Sequence, residues 1–97
     1  MFRINSVMIS GKIHQDPVFI TKGDSLFYTF VLNCHYTQTD PDRWLLINVA
    51  GFVGKHHQID KHNQGDKVLV SGRICYRDGG LAIMATKLHF DEEVEVR

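Results

Sequence analysis

Apolar and polar residues alternate with a period of two along most of residues 4–90, and the runs are cut at short intervals by Gly, Asp, Asn and Pro. A period of two sends successive side chains to opposite faces, as a half-buried β-strand requires. Turn residues between such runs mark an antiparallel all-β domain. A chain of 97 residues builds one hydrophobic core, so every strand must share it. Apolar residues are 43% of the chain and charged residues 23%, enough apolar material for that core and unlike a wholly disordered protein.

Five strands follow from the pattern. The first, about 4–14, places Val7, Ile9, Gly11 and Ile13 on one face, the expected core side, and Met8, Ser10, Lys12 and His14 on the other. Asp16-Pro17 breaks the ladder because Pro has no N–H to donate. Residues 18–21 then fit a short edge extension ahead of the Lys22-Gly23-Asp24 turn. The second strand, about 26–36, sets Tyr28, Phe30, Leu32 and Cys34 against Thr29, Val31, Asn33 and His35, with the aromatic face buried. After the polar loop 37–42, the third strand, about 43–52, sets Leu45, Ile47 and Val49 against Trp44, Leu46, Asn48, Ala50 and Phe52.

Alternation stops between Val53 and Gln64, where β-branched and aromatic residues are too few for a strand. One short helix is expected there, with Val53 and Ile59 plugging an end of the barrel and Gly65 ending it. The fourth strand, about 67–76, sets Val68, Val70, Gly72 and Ile74 against Leu69, Ser71, Arg73 and Cys75. Arg77-Asp78-Gly79-Gly80 predicts a tight hairpin into the fifth strand, about 81–90, because Asp-Gly and Gly-Gly supply the positive φ angles such turns need. Three strands, a helix and two strands is the element order of a five-stranded OB-fold Greek-key barrel. A small sandwich or an SH3-like barrel fits the pattern alone as well. The barrel is expected over 1–90, with 91–97 as a short acidic C-terminal end.

The formal net charge is zero, but it is unevenly spread: residues 1–90 hold ten Lys or Arg against seven Asp, whereas DEEVEVR holds four acids against one Arg. The body is therefore mildly basic, which permits weak, salt-sensitive phosphate binding and requires base stacking beside it. No apolar run approaches the ~20 residues that span a bilayer, and the alternating N-terminus lacks the apolar segment of a signal peptide; a cytoplasmic protein without membrane contact is expected. Cys34 and Cys75 fit no metal or redox spacing and read as reduced structural thiols.

Asn5-Ser-Val-Met-Ile-Ser-Gly-Lys-Ile-His-Gln-Asp-Pro17 resembles the first strand and Asp-Pro turn of bacterial single-stranded-DNA-binding proteins. Gly65-Asp-Lys-Val-Leu-Val-Ser-Gly-Arg-Ile-Cys-Tyr-Arg77 resembles their fourth strand, Phe30-Val-Leu-Asn33 their second, and Trp44 with Gly51 seven residues on their third. The likeness spans most of 4–90 and lies in four segments appearing in order. It implies a non-enzymatic protein that coats unpaired DNA in replication, repair or recombination, working as a homo-oligomer, dimer or tetramer, without a cofactor. A primosomal replication protein that bridges single-stranded DNA and helicase loading is the nearest alternative. An OB-fold protein-protein adaptor is the other.

Within that reading Trp44 is the principal base-stacking residue, on the face opposite Leu45, Ile47 and Val49; its competing role is an oligomer contact or a packed rim. Lys12 and Arg73, on the non-core faces of strands one and four, match basic positions of the family pattern and suit phosphates. Solvated surface charge is the plain alternative. Arg43, Arg77 and Tyr76 are weaker DNA-binding candidates, Tyr76 having the parity of Ile74. Tyr36 is expected either to stack on a base or to enter the core, and Phe52 either to stack or to cover the helix.

Three departures from the family pattern reduce what is expected of this chain. Ala50 stands where the family commonly carries a second exposed aromatic, the hairpin at residues 77–80 is short, and no Gly/Pro/Gln-rich recruiting tail follows. Recruitment of replication proteins through DEEVEVR is therefore not expected. His56, His57 and His62 lie five or six residues apart and share no helical face, so no metal site is expected. The body Asp residues fall mostly at turns, and no Gly-rich phosphate loop or nucleophile elbow is present, so neither is catalysis.

Overall fold

The computed structural model describes residues 4–37, 40–55 and 57–90, and the side chains of all of these except 35–37, 40–44, 55 and 57. Six strands carry the fold: β1 (Val7–Ile13), β2 (Val18–Lys22), β3 (Ser25–Thr37), β4 (Asp40–Phe52), β5 (Lys67–Arg77) and β6 (Gly80–Phe90). They form one sheet in the order β1-β5-β6-β4-β3-β2, and a further β1–β3 pairing closes it into a barrel. All neighbours are antiparallel except β4 and β6, whose parallel pairing is the crossover of the Greek key. β2 is the expected edge extension of the first strand, set off by Asp16-Pro17 and paired only with β3.

The period-two pattern dictates which residues fill the barrel. Ile13, Tyr28, Phe30, Leu32, Val49, Val68, Val70 and Ile83 all point inward and are buried, and Ile59 closes one end. Closure brings backbones close together at Gly72, where an added methyl would meet the Met84 carbonyl oxygen and lie 3.0 Å from the Ala85 Cα. Gly72 also borders the bulge that shifts the β5–β6 register between Ser71 and Gly72, the usual device for bending a strand around a barrel.

The segment expected as one helix instead forms two separate 3-10 turns, Val53–Lys55 and His57–Lys61. Its two apolar side chains, Val53 and Ile59, are six residues apart, so they do not line up as a helical stripe, and Gly54 favours no continuous helix. The plug survives without the helix: Ile59 is buried and Val53 packs against the core. Gly65 ends no helix and instead donates its N–H to the Ile13 carbonyl at 2.8 Å, while Ile13 donates to the Asp66 carbonyl at 2.9 Å. Gln64 N–H donates to Asp16 Oδ1 at 2.6 Å, fixing the Asp-Pro corner. At the opposite hairpin Asp78 (φ 51°) and Gly79 (φ 82°) make the expected two-residue turn, with Arg77 paired to Gly80.

Candidate nucleic-acid interface

The ladders align outward residues of successive strands into rows. Val18, Thr29, Ala50, Met84 and Arg73 form one row across β2, β3, β4, β6 and β5. Ile20, Phe27 and Phe52 form the next on one side, and Val31, Asn48, Ala82 and Cys75 the next on the other. On the β1 side Lys12 pairs with Asn33 of β3 and with Lys67 of β5.

Charge is segregated on this framework. Among strand residues with described side chains every Lys and Arg has outward parity: Lys12, Lys22, Lys67, Arg73, Arg77 and Lys87. None of those strand residues is Asp or Glu. Lys12 directly opposite Lys67 is a like-charge pair that costs the free protein stability. The acids with described side chains lie in the connections instead, Asp16, Asp24, Asp60, Asp66 and Asp78, while Asp40 and Asp42 begin β4 with side chains outside the described residues. The single described ion pair on this surface, Arg77 Nε to Asp78 Oδ2 at 3.8 Å, is solvent-exposed and long, so it leaves Arg77 available.

At the plugged end His62 stacks on Phe90 with ring centroids 3.6 Å apart and planes 6° from parallel, and its Nδ1 lies 3.0 Å from Asp66 Oδ2. Asn63 N–H also donates to that oxygen at 3.0 Å. The backbone N–H of Asn63, then His62, hold the Asp66 carboxyl below its ordinary value. A lowered folded pKa contributes stability above the ordinary carboxylate range that is lost as pH falls through the lowered value. Asp66→Asn is therefore expected to lower the unfolding temperature slightly at neutral pH, and progressively less as pH falls through the lowered value, measured by circular dichroism melts over a series of pH values. The effect is small because the carboxylate is solvent-screened.

No family model and no curated protein matches the sequence. The structure matches that of the single-stranded-DNA-binding protein from Thermus aquaticus with a TM-score of 0.81 over 97% of this chain at 17% identity, and spans 43% of that longer chain. It matches the second single-stranded-DNA-binding protein of Mycobacterium smegmatis with a TM-score of 0.79 at 19% identity, covering 96% of this chain and 97% of that one. The fold is that of the bacterial single-stranded-DNA-binding proteins. A structure of such a domain from Synechococcus sp. agrees, with a TM-score of 0.73 at 16% identity, covering 92% of this chain and 98% of that one.

On this single-stranded-DNA-binding-protein fold, Lys12, Arg73 and Arg77 share the outer surface, Lys12 and Arg73 being exposed. Phe52 joins them, 40% exposed and set against Phe27. Tyr76 does not join them: it pairs with Leu81 on the opposite side of the β5–β6 ladder and is 76% exposed, because the hairpin overshoots the barrel and leaves that end of its inner face unfilled. The backbones of Tyr36, Arg43 and Trp44 lie on β3 and β4, with Trp44 paired to His35; their side chains lie outside the described residues.

Ala50, expected on an exposed face, is 1% exposed and lies between Thr29 and Met84 on the neighbouring strands. Cys34 is buried as a structural thiol, donating to the Leu45 carbonyl at 3.3 Å, and burial pushes its pKa up. Cys75 is half-buried with outward parity. Lys22, Lys67, Lys87 and Phe27 were not singled out by sequence, although the outward parity of Phe27 with Thr29 and Val31 was present there. No helix of the described residues is long and apolar enough to cross a membrane, and no three described His, Cys, Asp or Glu residues converge on a metal-sized site.

Proposed function

We propose that this protein binds single-stranded DNA without reading its sequence, its outer barrel surface following the phosphates and its aromatic rings stacking on bases. The observation that carries this reading is the segregation of charge among the described residues: outward Lys and Arg on the strands with no described carboxylate among them, on a chain of zero net charge. Such a surface, with Lys12 facing Lys67 at a cost to the free protein, suits a polyanion that relieves the repulsion. The structural neighbours are single-stranded-DNA-binding proteins by name, and the likeness supports the same ligand here.

In this reading Lys12, Arg73 and Arg77 meet phosphates, Arg43 next to Trp44 in the chain is a further phosphate candidate, and Trp44 is the principal stacking residue with Tyr36 at the same end of the β3–β4 hairpin. The protein acts without catalysis, as a dimer or tetramer in replication, repair or recombination. Several OB barrels on one strand raise the effective affinity of modest individual sites.

Trp44 is the sole tryptophan, so its fluorescence reports on one position. Titration with oligo(dT) is expected to quench it, and Trp44→Ala to weaken binding roughly five- to a hundred-fold, as loss of one stacked base requires. Unchanged fluorescence together with unchanged Trp44→Ala affinity removes Trp44 from the interface. No binding of oligo(dT) at low salt by the unaltered protein rejects the function.

A further inference from the structure

Phe27 and Phe52 face each other across the β3–β4 ladder on the outer surface, with ring centroids 4.5 Å apart and planes inclined by 38°. Ile20 of β2 pairs with Phe27 on the other side and is 41% exposed. The core needs neither ring, because Tyr28, Phe30 and Val49 fill the opposite face of the same two strands. A tilted ring pair at this separation is attractive in itself, so both rings are held ready without a partner. Lys22 follows Ile20 on the same side of β2, and Arg73 stands in the adjoining row beyond Ala50 and Met84.

We propose that the Phe27–Phe52 pair is a second base-stacking platform for single-stranded DNA, taking over the stacking that Ala50 is too small and too buried to perform. The proposal rests on the function proposed above and adds a subsite to it. Charge selects the occupant. A nucleotide strand offers planar faces to the rings and phosphates to Lys22 and Arg73 together. A second copy docked by two-fold symmetry would instead set this surface, which bears no carboxylate among the described strand side chains, against itself, lysine towards lysine. Phe52 lies eight residues beyond Trp44 on β4, about 26 Å at ~3.3 Å per residue. A strand reaching both positions runs along the length of β4, consistent with the ~4–16 nucleotides that one OB barrel occupies.

The test uses the full chain and labelled oligo(dT), with anisotropy for affinity and light scattering for particle mass. The double variant Phe27→Leu/Phe52→Leu keeps apolar bulk and removes both rings. It is expected to fold as the parent does, to bind roughly five- to a hundred-fold more weakly, and to keep both the salt dependence and the Trp44 quenching. Unchanged affinity in this variant while the parent binds overturns the platform and leaves the general function standing. A changed particle mass with unchanged affinity overturns it in favour of a contact between copies. A parent that does not bind overturns both. Should the double variant fail to fold, Phe52→Trp in a Trp44→Phe background gives an independent reading: oligo(dT) quenches the relocated tryptophan if the platform is used, and an unaltered spectrum during saturable binding rejects it.

Discussion

Gly72→Ala is expected to destabilise the barrel by about 3 kcal/mol or more, above the ordinary range for overfilling a core. The obstruction is backbone: an added methyl meets the Met84 carbonyl oxygen and the Ala85 Cα, neither of which can turn aside as a side-chain tip can. Moving β6 away disturbs the paired register from Val68 to Arg77 and the parallel contact with β4. Against a total stability of roughly 5–15 kcal/mol for a domain of ordinary stability, such a loss leaves little margin. Ser71→Ala, one residue away with outward parity, keeps the backbone carbonyl that accepts from Thr86 Oγ1 at 3.1 Å and is expected to change stability by less than about 0.5 kcal/mol. Urea unfolding of the two variants beside the parent checks both values, and equal midpoints for all three contradict the argument.

Neutralising Lys12 and Arg73 together, as Lys12→Gln/Arg73→Gln, is expected to weaken oligo(dT) binding more than ten-fold at low salt. The slope of log K against log salt should become shallower by about 1.4, since each phosphate contact on a single strand contributes roughly 0.7. Both side chains are exposed and neither belongs to the core, so the fold is expected to persist; separating Lys12 from Lys67 removes a repulsion and slightly stabilises the free protein. Titrations over a series of salt concentrations measure the slope directly. A weaker affinity with an unaltered slope places the two residues away from phosphate. The Phe27→Leu/Phe52→Leu variant should show the complementary pattern, and the two experiments separate charge from stacking.

Much of the architecture was legible in the alternation. Parity assigned Ile13, Tyr28, Leu32, Val49 and Val70 to the interior, and Asp78-Gly79 announced the two-residue hairpin. What parity does not carry is the neighbourhood set by other strands. Ala50 is buried despite its outward parity, between Thr29 and Met84, and Met84 neighbours it only through the parallel β4–β6 pairing. Tyr76 has the parity of the core yet is exposed because the hairpin extends past it. The stack of His62 on Phe90 joins residues 28 positions apart with no local signal. Of the candidate site, Lys12, Arg73 and Phe52 were legible as outward residues. The arrangement of Lys12 with Lys67, and of Phe52 with Phe27, required the register.

The segregation of charge also bears on how quickly a strand is captured. A molecule with zero net charge presents no monopole field, so at separations beyond the Debye length, about 8 Å at physiological salt, its cations and its acids, four of them within residues 91–97, largely cancel. Attraction to a polyanion begins only when the outer face of the sheet is already near it. Encounter is then governed by collision and orientation rather than by long-range steering, and the association rate should vary less with ionic strength than that of a strongly basic protein of the same size. Salt then acts chiefly on how long the complex lasts.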